Sequence, residues 1–145
     1  MNKKEKASEY FGSGLNCAQS VLAAFADELG LDKNQIFKLA SGLGGGLAKN
    51  GHVCGAVNGA IMVLGLKYAG ESNNPGEING PAIAKANQFI AKFKEINGSI
   101  NCRELLDGVD LLTEEGQAEW TSRNLHDVTC TPVVQKAVEI ILDME

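Results

Sequence analysis

The side chains best suited to chemistry are four cysteines, Cys17, Cys54, Cys102 and Cys130. No two of them form a C-x-x-C pair, which excludes a thioredoxin-type motif and a zinc ribbon. There is no C-x-x-C-H for covalent haem attachment. Their shared feature is local. Cys17 follows Asn16 and Cys102 follows Asn101, both good N-cap residues. Cys130 precedes the helix-starting pair Thr131-Pro132, and Cys54 follows a glycine-rich turn. All four are therefore expected at helix N-termini, where free N–H groups and the positive dipole end favour an anion. That setting lowers a thiol pKa and favours the nucleophilic, metal-binding thiolate, with Cys17 and Cys54 the first candidates. The competing reading treats each cysteine as a small core hydrophobe.

The stretch Gly42 to Leu66, GLGGGLAKNGHVCGAVNGAIMVLGL, is what must position them. From Val53 to Leu66 no residue is charged and Asn58 is the one strongly polar side chain, so the segment reads as a helix buried on most sides. The run is shorter than the roughly 20 residues of a membrane span. Gly55 and Gly59 share one helical face, which lets another backbone come close beside Cys54. Ala48 to Gly51 reads as a turn. The run GLGGGLAKNG is not a phosphate loop: Leu47 stands where G-x-G-x-x-G needs its last glycine, G-K-[ST] is missing and no strand precedes it.

The remaining elements follow the helical period. Residues 2 to 11 give a short polar helix that Tyr10 and Phe11 can dock. Ala18, Val21, Leu22, Phe25 and Leu29 form a stripe after the Asn16 cap, ended by Gly30. Asp32 caps a helix with the stripe Ile36, Leu39, Ala40 and Leu43. Residues 70 to 80, GESNNPGEING, read as a surface loop, and Pro81 as the first turn of a helix carrying Ile83, Ala86, Phe89, Ile90, Phe93 and Ile96. Short helices after Asn101 and Thr113, the second holding the single tryptophan, Trp120, precede an amphipathic helix from Thr131 to Met144. No segment alternates with a period of two. The expectation is all-α: one domain over residues 1–145, a compact bundle of about six to eight helices around a buried glycine-rich central helix.

Composition sets the outer bounds. Hydrophobic residues at 44% suit a globular chain, and 145 residues can bury a core without disulfides. A net charge of -5 with no basic block argues against nucleic acid. The N-terminus MNKKEKASEYFGSG is charged without a following apolar region, so no signal peptide is read and a cytoplasmic location is expected, without membrane insertion. In a reducing compartment catalytic, sensing or metal-binding cysteines are commoner than structural disulfides. His52, two residues before Cys54, and His126, four before Cys130, are candidate proton acceptors or ligands set against ordinary surface or capping roles. Asn58 reads as a buried amide bonded to backbone.

The segment GHVCGAVNGAIM contains C-G-A-x-x-G as Cys54 to Gly59; NCAQSVL lies upstream at 16–22, and single cysteines follow at 102 and 130. This arrangement resembles the C_GCAxxG_C_C family of small prokaryotic redox-active proteins over nearly the full length. The family label writes glycine before cysteine, whereas here Cys54 precedes Gly55. The resemblance implies redox activity carried by Cys17, Cys54, Cys102 and Cys130, and names no reaction or substrate.

Read from the residues, the first function is reversible thiol–disulfide chemistry or electron transfer, as a thiol-dependent oxidoreductase or sensor, with a redox partner or small molecule as substrate. Four cysteines allow three pairings. The second is a metal or iron–sulfur protein in which the four cysteines, with His52 as a further ligand, hold zinc or a cluster. The third is a helical partner-binding protein with inert buried cysteines. A homo-oligomer is compatible with each.

Overall fold

The computed structural model describes residues 1–145. It contains nine α-helices and one π-helical turn: α1 Lys3–Gly12, α2 Cys17–Ala24, α3 Ala26–Leu29, α4 Lys33–Leu39, α5 Gly55–Tyr68, α6 Pro75–Asn97, α7 Cys102–Leu105, α8 Glu114–Ser122, the π turn His126–Cys130 and α9 Thr131–Asp143. The fold is all-α, as expected. The extra helices are short pieces, because Phe25 interrupts the expected second helix and divides it into α2 and α3.

The central helix is α5. Its residues Gly55, Ala56, Val57, Gly59, Ala60, Val63 and Leu64 are all buried. A helix apolar on every side needs neighbours on every side, and α2, α6 and α9 supply them. The α2–α5 pair is the most extensive, and Gly59 explains it: a methyl group there would stand 2.9 Å from the Ala18 carbonyl oxygen and 3.2 Å from Val21 Cβ. The absent side chain lets α2 lie directly on the α5 backbone. Phe25, Phe89, Phe93, Val134, Val138 and Ile141 fill the rest of this core. Burying each such side chain contributes roughly 1.5–3 kcal/mol before chain entropy is set against it.

Caps fix where several helices begin. Asn2 and Asn16 form capping boxes with Glu5 and Gln19, while Asp32 and Thr113 accept from the amides of Gln35 and Gly116. Two starts differ from the sequence reading. The surface loop expected over 70–80 is cut short, because α6 begins at Pro75 behind an Asn74 cap and carries Pro81 inside it. Pro81 has no N–H to give the Glu77 carbonyl. That oxygen turns instead toward Gly70, where a methyl group would come within 2.0 Å of it, and the Gly70 amide donates to Ile78 at 3.1 Å.

The second difference lies at Cys130. The chain is already helical there: the π turn runs straight into α9, and Cys130 has right-handed helical angles. Pro132 removes one N–H from the ladder, and the Thr131 amide and hydroxyl both donate to the His126 carbonyl, the hydroxyl at 2.9 Å. Cys130 is therefore inside a helix, not at a free N-terminus. Three expected core positions also move outward, with Leu39 at 83%, Ile83 at 58% and Ile96 at 43% exposure. α4 stops at Leu39 and α6 extends past the body of the core at both ends.

No helix is long and apolar enough to cross a membrane.

Candidate functional site

Cys54 is the N-cap of α5 and is buried. Cys17 is the first residue of α2 and half-buried. The close packing of these two helices sets the cysteines side by side. A methyl group at Gly55 would stand 3.1 Å from Cys17 Cβ, 3.1 Å from the Ala18 nitrogen and 3.2 Å from the Leu43 oxygen. The two thiols are close enough that charge on one bears on the other. Capping by Asn16 holds α2 in this position, since its side chain also donates to the Ala40 carbonyl at 2.9 Å and so ties α2 to the end of α4.

A two-residue antiparallel bridge brings in Cys102. Val53 pairs with Asn101, the Cys54 amide donates to Ile100 at 2.7 Å, and the Cys102 amide donates to His52 at 2.7 Å. The starts of α5 and α7 thus lie side by side. Gly46 backs this pairing: a methyl group there would be 2.6 Å from His52 nitrogen and oxygen and 2.7 Å from Cys102 Cβ.

The segment before the bridge has an unusual backbone. Gly45, Gly46, Leu47, Ala48 and Lys49 are all left-handed, with φ of 67°, 73°, 65°, 51° and 68°. Glycine takes such angles freely, whereas each of the other three costs roughly 1–2 kcal/mol. Four hydrogen bonds tie the turn down: Ala48 to Gly42 at 2.8 Å, Lys49 to Gly44 at 2.9 Å, Gly51 to Gly45 at 3.0 Å and His52 to Gly46 at 2.9 Å.

Cys130 arrives from the opposite side, on the π turn. Trp120 on α8 packs on the same small cluster as Cys130, and its indole N–H favours the Cys130 thiolate. His126 stacks flat on Phe11 with ring centroids 4.1 Å apart and meets the Trp120 ring edge-on at 5.7 Å. Its Nδ1 pairs with the Asp127 carboxylate at 2.8 Å and its Nε2 faces the Phe11 carbonyl at 3.3 Å. His126 is thus anchored on both nitrogens.

These parts enclose an open cavity of about 680 Å³. Cys17, Cys102 and Cys130 line it, with Asn16, Trp120, His126 and the left-handed loop. Cys54 lies behind Cys17 and does not line it. The fold therefore gathers all four cysteines at one place. No three of the chain's histidine, cysteine, aspartate and glutamate side chains are grouped as ligands of one metal ion. His52 is exposed and joins the site through its backbone, not its ring. Asn58 donates to the Val53 carbonyl at 3.5 Å.

The four thiols are electrically unequal. Contact with Cys17 holds Cys54 below the ordinary thiol range; burial opposes this, and the Ala56 and Val57 amides in the open first turn of α5 reinforce it. Cys17 is pushed well above that range by the same contact, by burial and by negative charge at its three neighbours. Burial and the charges at Cys54 and Cys130 push Cys102 up to about 12, against the pull of Arg103. Burial pushes Cys130 up to about 11, with the Trp120 N–H opposing and charge at Cys54 adding. The cluster thus holds its first negative charge on Cys54 and resists a second. Of the two thiols expected to be acidic, the N-cap position is acidified. The first helical residue is not, because the adjacent Cys54 and burial favour its neutral form.

The chain matches the model of the family described as "Putative redox-active protein (C_GCAxxG_C_C)" over residues 15–144. The chain belongs to this family. It is also similar to an uncharacterised protein of Archaeoglobus fulgidus, 34% identical over 146 residues that cover 96% of this chain and 90% of the relative. No solved structure matches it. Within this C_GCAxxG_C_C chain, two glycines of the motif region have visible work: Gly55 and Gly59 admit α2 and with it Cys17. Lys49 and Trp120 also belong to the site, although the sequence did not single them out for chemistry. A single tryptophan ten residues before a cysteine was the available signal for Trp120. Nothing in the sequence marked Lys49, whose place depends on the left-handed turn.

Proposed function

We propose that this protein is a dithiol redox protein whose working pair is Cys17 and Cys54. One observation carries the reading: the packing of α2 on α5 sets the pocket-lining Cys17 beside Cys54, with Cys17 Cβ 3.1 Å from where a methyl group on Gly55 would stand, and Cys54 is held below the ordinary thiol range. The pair then needs no separate base. As the Cys17 sulfur attacks one sulfur of a substrate disulfide, its proton passes to Cys54, the substrate S–S bond breaks and one thiolate leaves. The Cys54 thiol next attacks Cys17 in the mixed disulfide. The second substrate half leaves as a thiol, carrying that proton, and Cys17–Cys54 remains as a disulfide. Two electrons pass from the pair to the substrate. Cys102 and Cys130, held protonated at the pocket wall, remain as the second pair of thiols.

Stepwise oxidation of the fully reduced protein, followed by peptide mass mapping, tests this. The first disulfide to form is expected to link Cys17 to Cys54, with Cys17→Ala and Cys54→Ala each abolishing it. A first disulfide joining any other two cysteines, or four thiols that resist oxidation, would overturn the reading.

A further inference from the structure

We propose that the pocket over Cys17 takes a low-molecular-weight disulfide bearing carboxylates, received by Lys49, in preference to the disulfide of a folded protein. This rests on the dithiol reading above and names its substrate class.

The first argument is shape. Cys17 lies in the wall of a concavity of about 680 Å³, within the range of roughly 300–1,000 Å³ that small-molecule sites occupy. A disulfide on a protein surface would have to protrude into this hollow to meet the sulfur. A small disulfide enters whole.

The second argument is charge. The chain has 18 acidic residues against 13 basic ones, yet no aspartate or glutamate lines this pocket. Lys49 is the one permanently charged side chain among the lining residues. It takes part in none of the chain's ion pairs. The left-handed turn fixes its backbone at the cavity rim through the Lys49 to Gly44 hydrogen bond of 2.9 Å. The amides of the lining residues Gly44 and Gly45 donate to no carbonyl or side chain, so hydrogen-bond donors are also available there. Leu106, Leu111 and Trp120 supply an apolar wall for the aliphatic part of the molecule.

The reaction balances on this substrate. R–S–S–R gains two electrons and the one proton that Cys17 carries, leaving as one R–S⁻, which solvent protonates, and one R–SH, each still carrying its carboxylate, while Cys17 and Cys54 become a disulfide.

The test compares two small disulfides of similar size, the dianion 3,3′-dithiodipropionate and the dication cystamine, with the disulfide of a folded protein as a third oxidant. Rates of Cys17–Cys54 formation are divided by each oxidant's rate with a free small thiol, which removes intrinsic reactivity. The wild-type protein is expected to favour the dianion by about tenfold, the scale of one charge contact near a protein surface. Lys49→Gln should remove most of that preference and Lys49→Glu reverse it, while Lys38→Gln, outside the pocket, retains it. Equal normalised rates for the two small disulfides, a preference that survives Lys49→Glu, or faster oxidation by the protein disulfide would overturn the proposal and leave the dithiol reading standing. Failure of all three oxidants to join Cys17 to Cys54 would overturn both.

Discussion

The two halves of the cysteine cluster are built differently. Cys54 is one of the 24 buried residues of the large core and the half-buried Cys17 packs against it, at the interface of two helices whose backbones nearly touch. Cys102 packs on a small separate cluster, Leu106, Val109 and Leu125, and Cys130 touches both clusters. The elements on that side are slight: α7 is four residues long and the π turn five. The Cys17–Cys54 pair is therefore set by the same contacts that hold the fold together. Cys102 and Cys130 are placed by short connections with few buried apolar neighbours, which is where local opening is least costly. A redox centre benefits from this division, because its nucleophilic pair needs fixed geometry while the wall around the substrate must admit and release it.

The largest effect is expected where the rigid half is broken. Gly59→Leu forces a side chain into the 2.9 Å gap to the Ala18 carbonyl. Overpacking of this kind costs about 1–3 kcal/mol and can cost more, and here the obstructing atoms are backbone. The urea midpoint should fall clearly, and the Cys17–Cys54 disulfide should form more slowly in whatever protein still folds. An unchanged midpoint would show that α2 and α5 do not meet so closely.

The halves can also be separated by pH. Burial keeps Cys102 and Cys130 protonated up to about 12 and 11, whereas in the unfolded chain they ionise from about 9. Above that lower value the folded state binds the extra proton, so stability is fully present below it and is lost as pH rises toward the folded value. Each such thiol contributes a slope of about −1.4 kcal/mol per pH unit. Cys54 is shifted the other way, so its contribution is present above the unfolded pKa and is lost as pH falls through its depressed folded value. Stability measured from urea midpoints between pH 9.5 and 10.5 should therefore decline less steeply in Cys102→Ala than in the wild type, whatever the offset between the two proteins. Parallel lines would mean that Cys102 is not held protonated.

The same contrast explains what could be read from the sequence. The rigid half was legible because it is written in local chemistry: Asn16 announces a helix start, and the spacing of Gly55 and Gly59 announces a bare face beside Cys54. The second half was legible only in outline. Thr131-Pro132 signals a helix start wherever it occurs, but here the preceding turn was already helical and absorbed the proline through a π turn. Pro81 misled in the same way, since its neighbours Asn74 and Pro75 make the better cap. The left-handed run from Gly45 to Lys49 was not legible at all. Leu47, Ala48 and Lys49 have no preference for such angles, and only the tertiary hydrogen bonds that close the loop put them there. The inequality of Cys17 and Cys54 was hidden for a related reason. Both are near helix starts, and which of them holds the charge depends on their contact across the α2–α5 pair, which no local pattern records.

The smallest effect concerns the influence of the Trp120 indole N–H on the Cys130 thiol, on the lighter side. Without that N–H, burial would raise the Cys130 thiol still further, because an indole donor stabilises the thiolate more than the thiol. Trp120→Phe keeps an aromatic ring against His126 but removes the donor and widens the pocket. Opening the pocket alone should speed alkylation of Cys130, while losing the donor should slow it, since only the thiolate reacts. At pH 8 we expect the second effect to win. Alkylation of Cys130, followed by peptide mass mapping, should be slower by about threefold to tenfold, the weight of one hydrogen bond to a charged group reduced by solvent at a half-buried site. Alkylation of the Cys17–Cys54 pair should be unchanged, because the indole makes no contact with it. Faster modification of Cys130 would show that Trp120 acts as a cover and not as a donor, and equal slowing at every cysteine would show that the two halves are not independent.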